Sequence, residues 1–472
     1  MTGAIDLSFL KGKRVLVLGL SRTGLSVASQ IEAAGGHAMG WDDGETAREA
    51  AIAAGLTVQD PASQLSDIDF VVLSPGIPRS FPAPHPLVVE AEAAGTPIIG
   101  DMDLLAQGNP GAQTIGITGT NGKSTTTALI GHLLSEAGIE TAVGGNIGQA
   151  ALTLPALSEA GWYVLELSSF QLETLSLATW DVAILLNISP DHEDRYPDMQ
   201  AYVDAKTRLL DRPRGFSAAV IGADDNWARE LLDRYTRLGR HRVIPISAER
   251  PIEGGVAYLA DRIVDQMDPE GEKILPIGDL PTLPGAHNRQ NAAAAHVALR
   301  LAGVSHEDIA AGMATFPGLA HRQQTVATLD GIRFVNDSKA TNPEAAVRAL
   351  TSYDTVYWIA GGKAKGDDYS ALEPGLAHVE RAFLIGEAAD AMEAAFKGKV
   401  RLTKSATLDR AIQQAFADAR AATNQKSVIL LSPACASFDQ FENFEKRGER
   451  FAELATMLAQ AEDQRRASGG ST

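Results

Sequence analysis

The segment Ile115–Ser124 (IGITGTNGKS) places a lysine and a serine directly after closely spaced glycines. Loops of this composition bind phosphate, because backbone N–H groups and the start of the next helix surround the phosphate oxygens, the lysine neutralises them and the hydroxyl binds Mg²⁺. Ile117 stands where the strict nucleotide-loop pattern has its first glycine. The alternative is a glycine-rich helix start with a surface lysine. The predicted phosphate-binding residues are Gly119, Thr120, Asn121, Gly122, Lys123, Ser124 and Thr125.

Acidic and imidazole side chains follow two further apolar runs of the same region. Glu166 ends the run that begins at Trp162, and His192 lies in the polar segment that follows Val182–Ile188. The carboxyl ends of parallel strands meet at one edge of a sheet, which is where open α/β sheets bind ligands. Carboxylate and hydroxyl groups there can hold the metal that accompanies phosphate chemistry. We therefore predict a metal site near the glycine-rich loop.

A second glycine pattern, Gly19–Gly24 (GLSRTG), lies near the start of the chain. It resembles a dinucleotide-binding turn, but Ser21 replaces the middle glycine, where the backbone usually approaches a pyrophosphate. Asp42 follows about 20 residues later, at the position that contacts a ribose in such folds. The proline-rich segment Ser74–Pro86 is predicted to be a loop at a neighbouring strand end. The pattern favours a nucleoside diphosphate and does not demonstrate a redox cofactor.

Three polar loops in the last third of the chain each follow a predicted strand. If the strands are parallel, the loops converge on one edge and can hold a small charged substrate. The alternative is that Asp337 and Ser338 only cap the following helix, which does not explain Lys339 and Lys365. The three loops are Asn336–Asn342 (NDSKATN), Gly361–Gly366 (GGKAKG) and Ser432–Phe444 (SPACASFDQFENF).

These loops require a scaffold of alternating strands and helices. Short β-branched runs alternate with Ala-rich amphipathic stretches, which predicts the α/β class with parallel sheets. Turn-rich segments at Gln107–Gln113 and Thr315–Ala320 mark two boundaries. We predict three domains: residues 1–111, Rossmann-like; residues 112–318, a central P-loop-type ATPase domain with a mostly parallel sheet; and residues 319–472, again Rossmann-like.

Composition excludes several classes of protein. The 472 residues include 41 Lys and Arg, 59 Asp and Glu and one cysteine, for a formal charge of −18. This balance argues against nucleic acid as a partner, and one cysteine cannot form an internal disulfide. The longest apolar runs are far shorter than the ~20 residues of a membrane span, and we see no signal-peptide pattern near Val15. We expect a cytoplasmic monomer that does not insert into membranes.

Taken together, the motifs resemble those of the Mur ligase family, and the resemblance extends over all three predicted domains. The final motif is typical of members that add D-glutamate, and the Asp-Asn-Pro-Arg motif of members that add diaminopimelate or lysine is not found. The motifs are GTNGKST from Gly119, GGNIG from Gly144, ELSSFQLE from Glu166, NISPDHEDRY from Asn187, GAHNRQN from Gly285, NDSKATN from Asn336 and SPACASFDQFENFEKRG from Ser432.

The resemblance implies an ATP- and Mg²⁺-dependent ligase of peptidoglycan synthesis, with two metal ions. Such an enzyme adds D-glutamate to UDP-N-acetylmuramoyl-L-alanine through an acyl phosphate. Lys123 would serve catalysis, Ser124 and Glu166 would hold one Mg²⁺, and His192 would help to hold the second. The family's carbamylated lysine, which faces a metal, corresponds to Lys206, although the sequence alone suggests an ordinary lysine on a helix surface.

The resemblance also implies three groups of binding residues. Two departures from the family pattern, Ser21 and Asp43–Gly44, concern the uridine end of the first group. The UDP-linked substrate would contact Arg22, Thr23, Asp42, Ser74, Gly76, Asn146 and Ser168. The adenine and ribose side of ATP would contact His287, Asn288, Asn291, Arg322 and Asp337. D-glutamate would contact Lys339, Thr341, Lys365, Ser437, Phe438 and Phe444.

Three other functions compete with this interpretation. A folylpolyglutamate synthase shares the ATP chemistry but generally lacks a separate uridine-binding first domain. The hypothesis of a nicotinamide-dependent dehydrogenase is supported only by Gly19–Gly24 and Asp42. It does not explain the Gly-Lys-Ser loop. A non-catalytic nucleotide-binding module does not explain Glu166 and His192.

Overall fold

The computed structural model describes most of the chain and divides it into two compact units. Unit 1 comprises Met1–Asp279 and His287–Phe316, and unit 2 comprises Leu280–Ala286 and Pro317–Thr472. The predicted boundaries after residues 111 and 318 remain predictions. The described residues are 3–61, 65–268, 271–278, 280, 282–364, 366, 368–422 and 427–469, of which 286 and 463–469 are described by their backbone alone.

The first sheet of unit 1 is entirely parallel, with the strand order β3-β2-β1-β4-β5. The order reverses between β1 and β4, so the loops after these strands flank the switch point where such sheets bind ligands. The strands are β1 (Arg14–Leu18), β2 (His37–Trp41), β3 (Thr57–Val58), β4 (Phe70–Leu73) and β5 (Ile98–Ile99). The helices are α1 (Arg22–Ala33), α2 (Glu45–Ala53), α3 (Pro86–Ala94) and α4 (Asp101–Gly108).

The second sheet of unit 1 has nine strands, in the order β14-β13-β12-β11-β10-β9-β6-β8-β7. It is parallel from β7 to β12, and β13 and β14 add an antiparallel edge. The strands are β6 (Gln113–Thr118), β7 (Thr141–Gly145), β8 (Trp162–Glu166), β9 (Trp180–Leu185), β10 (Pro213–Gly222), β11 (Arg242–Ser247), β12 (Val256–Leu259), β13 (Arg262–Asp265) and β14 (Lys273–Pro276). The helices are α5 (Lys123–Glu136), α6 (Ser169–Thr174), α7 (Met199–Thr207), α8 (Asn226–Leu238), α9 (Ala286–Leu301) and α10 (His306–Thr315).

Strand β6 lies between β8 and β9 and is buried in the centre of this sheet. Helices cover such a parallel sheet on both faces, which explains why its strands are apolar throughout. Gly116 leaves room for large neighbours, because a Cβ atom there would lie 2.7 Å from Leu209 and 2.9 Å from the Trp180 ring. The three central strands run parallel, so the loops after β6, β8 and β9 emerge at one edge.

Unit 2 contains a third sheet, with the strand order β15-β16-β20-β17-β18-β19. Only β15 is antiparallel to its neighbour. Strands β15 and β16 form a hairpin, in which Asp330 and Gly331 both have positive φ, at 55° and 81°, as a tight two-residue turn requires. The strands are β15 (Gln324–Leu329), β16 (Ile332–Asn336), β17 (Val356–Gly361), β18 (Val379–Ile385), β19 (Leu402–Ala406) and β20 (Val428–Leu431). The helices are α11 (Pro343–Leu350), α12 (Ala389–Phe396), α13 (Leu408–Ala421) and α14 (Phe444–Gly469).

The α/β class with mostly parallel sheets is confirmed. Within the described ranges, no helix has both the length and the apolar character needed to cross a membrane.

Asp103, near the start of α4, joins this helix to the turn that follows α6. Its side chain is fully buried. One oxygen accepts from the Gly100 N–H at 3.0 Å, and the carboxylate also accepts from the N–H groups of Ser176, Leu177 and Ala178 at 2.7–3.1 Å. Four backbone donors therefore depend on one carboxylate for their hydrogen bonds.

We predict that Asp103→Asn destabilises unit 1 by about 2–4 kcal/mol, because an amide NH₂ would face buried N–H donors and leave at least one of them unsatisfied. Asp101→Asn is the matched control in the same helix turn, since the Asp101 carboxylate accepts from the Met102 N–H at 3.0 Å and does not bridge to the turn after α6 in the described hydrogen bonds. Urea unfolding followed by circular dichroism measures both variants. Equal midpoints for wild type and Asp103→Asn would contradict the assignment.

Asp101 also makes the stability of unit 1 depend on pH. Burial raises the pKa of Asp101 to about 6, and the neighbouring Asp103 adds to this. Because this is above the pKa of the unfolded chain, ionised Asp101 lowers stability as the pH rises from about 4 to about 6 and above. Asp101→Asn removes this cost, so we expect the variant to gain about 1–3 kcal/mol at pH 8 and nothing at pH 4. Unfolding curves at the two pH values test this, and an equal change at both would contradict it.

Candidate active site

The loop between β6 and α5 depends on its glycines. Gly119 and Gly122 have φ of 155° and 85°, a conformation that L-residues with side chains rarely adopt. A Cβ atom on Gly122 would also lie 2.2 Å from the Asn291 side-chain oxygen. The Lys123 Nζ atom donates to the carbonyl oxygens of Gly119 and Thr120 at 2.9 and 3.1 Å. The structure thus gives the segment the strand, loop and helix arrangement that phosphate binding requires.

A second lysine reaches the same loop from α7. Lys206 is 1% exposed, and its Nζ atom donates to the Gly119 carbonyl at 2.9 Å and lies 4.6 Å from the centre of the Tyr202 ring. Burial lowers the pKa of Lys206 well below its usual value, and the charge of Lys123 lowers it further. The expectation of a surface lysine was wrong, because Lys206 lies on the inward face of its helix.

Glu166 ends β8 and His192 lies in the segment after β9, as predicted for metal ligands. Glu166 is 3% exposed. Its Oε1 atom accepts from Asn146 Nδ2 at 3.2 Å, whereas Oε2 is buried without a hydrogen-bond partner in the described part of the chain. Ser124 is buried in the first turn of α5. A buried carboxylate oxygen with no partner in the described residues, at the end of the strand that pairs with β6, fits a Mg²⁺ ion bound near the phosphate-type loop.

His192 lies in a turn after β9 with φ of 56°. Burial lowers its pKa; Asp191 opposes this shift, while the charges of Lys206 and Lys123 add to it. A lowered pKa keeps the imidazole neutral at pH 7, which is the form that ligates metals. Its ring centre is 4.8 Å from that of Phe170.

Asn187 holds the phosphate loop, although the sequence analysis gave it no role. Its Oδ1 atom accepts from the Asn121 N–H at 2.9 Å, and its Nδ2 atom donates to the Asn121 carbonyl at 3.2 Å. Nδ2 also donates to Gln290 Oε1 at 3.1 Å, and the Thr120 N–H donates to the Asn187 carbonyl at 2.9 Å. The only signal in the sequence was a polar residue at a strand end inside a recognised motif.

Asn288 and Asn291, both in α9, are brought to the loop. Asn291 Nδ2 donates to Asn288 Oδ1 at 2.9 Å, and the Asn291 side chain is the one that excludes a Cβ atom at Gly122. Both side chains are buried. Their predicted ATP contacts remain predictions.

The residues predicted to bind the UDP group lie at the switch point of the first sheet. Arg22 and Thr23 form the first turn of α1, and Ser74 Oγ, directly after β4, donates to the Gly19 carbonyl at 2.7 Å. The Asp42 carboxylate accepts from the N–H groups of Leu20 and Gly44 at 2.7 and 2.8 Å. Asp42 therefore stabilises the glycine-containing turn, and its contact with a ribose remains a prediction.

Three more of these residues lie on loops of unit 1. Gly76 follows Ser74 in the loop after β4. The Asn146 N–H donates to the Glu166 carbonyl at 2.9 Å, which places Asn146 beside the predicted metal ligand. Ser168 caps α6, and its Oγ atom accepts from the Gln171 N–H at 3.2 Å.

The structure of unit 2 shows whether Asp337 and Ser338 cap the helix that follows them. Helix α11 begins at Pro343, and its N-cap is Asn342, so the idea that Asp337 and Ser338 cap it is wrong. Asp337 instead accepts from Ser432 Oγ at 2.8 Å and from the Gln323 N–H at 3.2 Å. Burial raises its pKa to about 7, against the lowering effect of these hydrogen bonds and of the Arg322 charge.

Arg447, in α14, organises the loops around Ser338, and the sequence analysis missed it. It is 1% exposed. Its Nε atom donates to Ser338 Oγ at 3.0 Å, and Nη2 donates to the carbonyls of Ser338 and Cys435 at 2.9 and 3.1 Å. Burial lowers its pKa to about 10. One guanidinium group thus joins the loops after β16 and β20.

The residues predicted for D-glutamate lie on loops of neighbouring strands in unit 2. Lys339 Nζ lies 4.1 Å from the centre of the Phe444 ring. Ser437 is buried, whereas Phe438 is 68% exposed. Thr341 follows in the loop before α11 and is half-buried. Lys365 lies outside the described residues, and the roles of the others remain predictions.

Comparisons with known proteins identify the family of the chain. A family model described as the Mur ligase middle domain matches residues 117–299, and one described as the Mur ligase glutamate ligase domain matches residues 321–435. A protein of Paramagnetospirillum magneticum named UDP-N-acetylmuramoylalanine–D-glutamate ligase is 47% identical over 97% of this chain and 99% of its own length. A protein of the same name from Phenylobacterium zucineum is 46% identical over 96% of this chain and 98% of its own length.

Solved structures agree on the fold. A UDP-N-acetylmuramate-alanine ligase from Thermotoga maritima aligns over 94% of this chain and 99% of its own, with a TM-score of 0.55 and 17% identity. A second structure, of a UDP-N-acetylmuramoylalanyl-D-glutamyl-2,6-diaminopimelate–D-alanyl-D-alanyl ligase from Acinetobacter baumannii, aligns over 96% of this chain and 92% of its own. Its TM-score is 0.56 and its identity is 18%. From the family models and the near full-length relatives, the chain belongs to the Mur ligase family.

Proposed function

We propose that this protein is the ATP-dependent ligase that adds D-glutamate to UDP-N-acetylmuramoyl-L-alanine in the cytoplasmic stage of peptidoglycan synthesis. The observation that carries the proposal is the convergence of Lys123 and Lys206 on the Gly119 carbonyl, with Glu166, whose Oε2 atom is unpartnered in the described residues, at the end of the strand that pairs with β6. This arrangement suits phosphoryl transfer from a metal-bound nucleotide. The names of the relatives supply the identity of the two other substrates.

Four residues of unit 1 are assigned to Mg²⁺. Ser124 and Glu166 would hold one ion, and His192 with Lys206 would hold a second. Bound Mg²⁺ neutralises charge on the phosphate oxygens and polarises the phosphoryl group. For Lys206 to serve as a ligand, its neutral amine adds to carbon dioxide and loses a proton, which gives a carbamate anion. The lowered pKa of the buried amine supports this step, because only the neutral form is nucleophilic.

The acceptor carboxylate then attacks the γ-phosphorus of ATP, ADP leaves, and an acyl phosphate forms. The neutral amine of D-glutamate attacks the carbonyl carbon of the acyl phosphate, and the tetrahedral adduct loses a proton from nitrogen and expels phosphate to give the amide. Lys123 and the loop N–H groups stabilise the negative charge that develops on the phosphoryl oxygens. We also propose that the protein acts as a monomer with two bound metal ions, and that the other predicted binding residues contact the substrates assigned to them.

A matrix assay tests the function directly. We expect phosphate release only when ATP, Mg²⁺, UDP-N-acetylmuramoyl-L-alanine and D-glutamate are all present. L-glutamate, meso-diaminopimelate and lysine test the amino-acid side, and tetrahydrofolate tests the acceptor side. Turnover with tetrahydrofolate, or with an amino acid other than D-glutamate in preference to it, would contradict the proposal.

We further predict that Lys206→Ala and Lys206→Arg both lose at least 100-fold in kcat, because arginine keeps the positive charge but cannot form the carbamate. A short carboxylic acid such as formate should partly restore Lys206→Ala, since it returns the anion. Lys123→Ala is the matched control: it loses activity equally, and formate does not restore it because a cation is missing there. A fully active Lys206→Arg enzyme would show that no carbamate is needed.

A further inference from the structure

Arg195 is a charged residue whose side chain is buried close to His192. Only 7% of the residue is exposed. The N–H groups of Arg195 and Tyr196 both donate to the His192 carbonyl, at 2.9 and 3.1 Å, so Arg195 belongs to the same hydrogen-bonded turn as this candidate metal ligand. A buried guanidinium group is costly unless its donors are satisfied. Its partners connect two loops of unit 1.

The first partners belong to the loop after β4. Arg195 Nη2 donates to the Ile77 carbonyl at 3.1 Å, and Nη1 lies 3.5 Å from the Gly76 carbonyl. The same loop contains Ser74, which the proposed function assigns to the UDP-linked acceptor. The planar fork of an arginine can address two consecutive carbonyl groups at once, whereas the ammonium of a lysine cannot reproduce this geometry.

The charge of Arg195 is balanced by Glu173. Nη2 lies 3.0 Å from Glu173 Oε2, and the Tyr196 hydroxyl donates to Glu173 Oε1 at 2.5 Å. The two charged side chains are 8% and 10% exposed. Both oxygens of the carboxylate are therefore satisfied, and the orientation of the guanidinium group is fixed from this side as well.

The third partner is an aromatic ring that also contacts His192. The guanidinium carbon of Arg195 lies 4.9 Å from the centre of the Phe170 ring, and the Phe170 and His192 ring centres are 4.8 Å apart. Phe170 thus packs against both side chains. Displacement of the Ser74–Ile77 loop would be transmitted to His192 through Arg195 and this ring.

We propose that Arg195 is a positioning residue, which holds the acceptor loop Ser74–Ile77 and the His192 turn in one fixed geometry. The inference rests on the proposed function. In that reaction, the acceptor carboxylate must be held at the γ-phosphorus of ATP, and a rigid connection between the two loops fixes this approach.

Calorimetric titration with UDP-N-acetylmuramoyl-L-alanine, in the absence of ATP and Mg²⁺, tests the connection through binding alone. We expect Arg195→Lys to raise the Kd of the acceptor at least tenfold. In steady-state assays, its acceptor KM should rise similarly and kcat should fall, while the KM values of ATP and D-glutamate stay within twofold of wild type.

Arg212→Lys is the matched control. Arg212 also donates to two consecutive carbonyl groups, those of Leu175 and Ser176, at 3.0 and 2.5 Å, and lies outside the candidate site. We expect it to lower the melting temperature and to leave the acceptor Kd within twofold. An equal rise of the acceptor Kd in Arg195→Lys and Arg212→Lys would overturn the proposal, as would no rise in either.

Phe170→Leu gives a second, independent test of the positioning role, which can be used even if Arg195→Lys does not fold. It leaves the guanidinium group and its carbonyl partners in place and removes the ring that contacts His192. We expect kcat to fall at least fivefold while the acceptor Kd stays within threefold; an unchanged kcat would overturn the proposal. Failure of the wild type in the matrix assay would instead refute the proposed function itself.

Discussion

Two lysine ammonium groups share one backbone carbonyl at the centre of the candidate site. Lys123 and Lys206 each donate to Gly119 at 2.9 Å, so the two nitrogens are no more than about 6 Å apart. If both were charged, they would repel each other by about 3 kcal/mol at an effective dielectric constant of about 20. This repulsion and the burial of Lys206 both lower the pKa of its amine and so favour the neutral form, and an anion between the two groups would relieve the repulsion. Both conditions favour an enzyme that binds phosphate and forms a carbamate.

The surrounding fold is arranged to hold this pair in place. Strand β6 lies between β8 and β9, and the phosphate loop follows it. Glu166, at the end of β8, and Asn187, after β9, therefore lie on either side of this loop. Asn187 fixes Asn121 by a pair of hydrogen bonds, and glycine at 122 lets Asn291 approach. The net charge of −18 describes the whole molecule, whereas phosphate binding depends on local groups such as the Lys123 ammonium and the N–H groups of the loop.

Local patterns predicted what depends on local physics. The alternation of strands and helices and the glycine-rich loop between β6 and α5 both follow from short-range composition and backbone conformation. Residues that act through tertiary contacts were not predictable in this way. Lys206 has the sequence context of a surface helix, and only packing against the loop shows that it is buried.

The same limit applies in other parts of the chain. Asp103 and Arg447 each satisfy several backbone groups that are distant in sequence, and a single sequence does not indicate which carbonyl or N–H group a buried charge will meet. The residues assigned to D-glutamate came from the family resemblance alone. The structure places those that it describes in unit 2, on the loops after β16 and β20 and at the start of α14; their roles remain predictions.

The state of the Lys206 amine is the most direct test of this account. In enzyme labelled with ¹³C at lysine Cε and kept free of carbon dioxide, NMR can follow its titration, with the signal assigned by its loss in Lys206→Arg. We expect the pKa of Lys206 to lie well below the ordinary lysine value and to rise when Lys123→Ala removes the neighbouring charge. An ordinary pKa that does not respond to Lys123→Ala would contradict it.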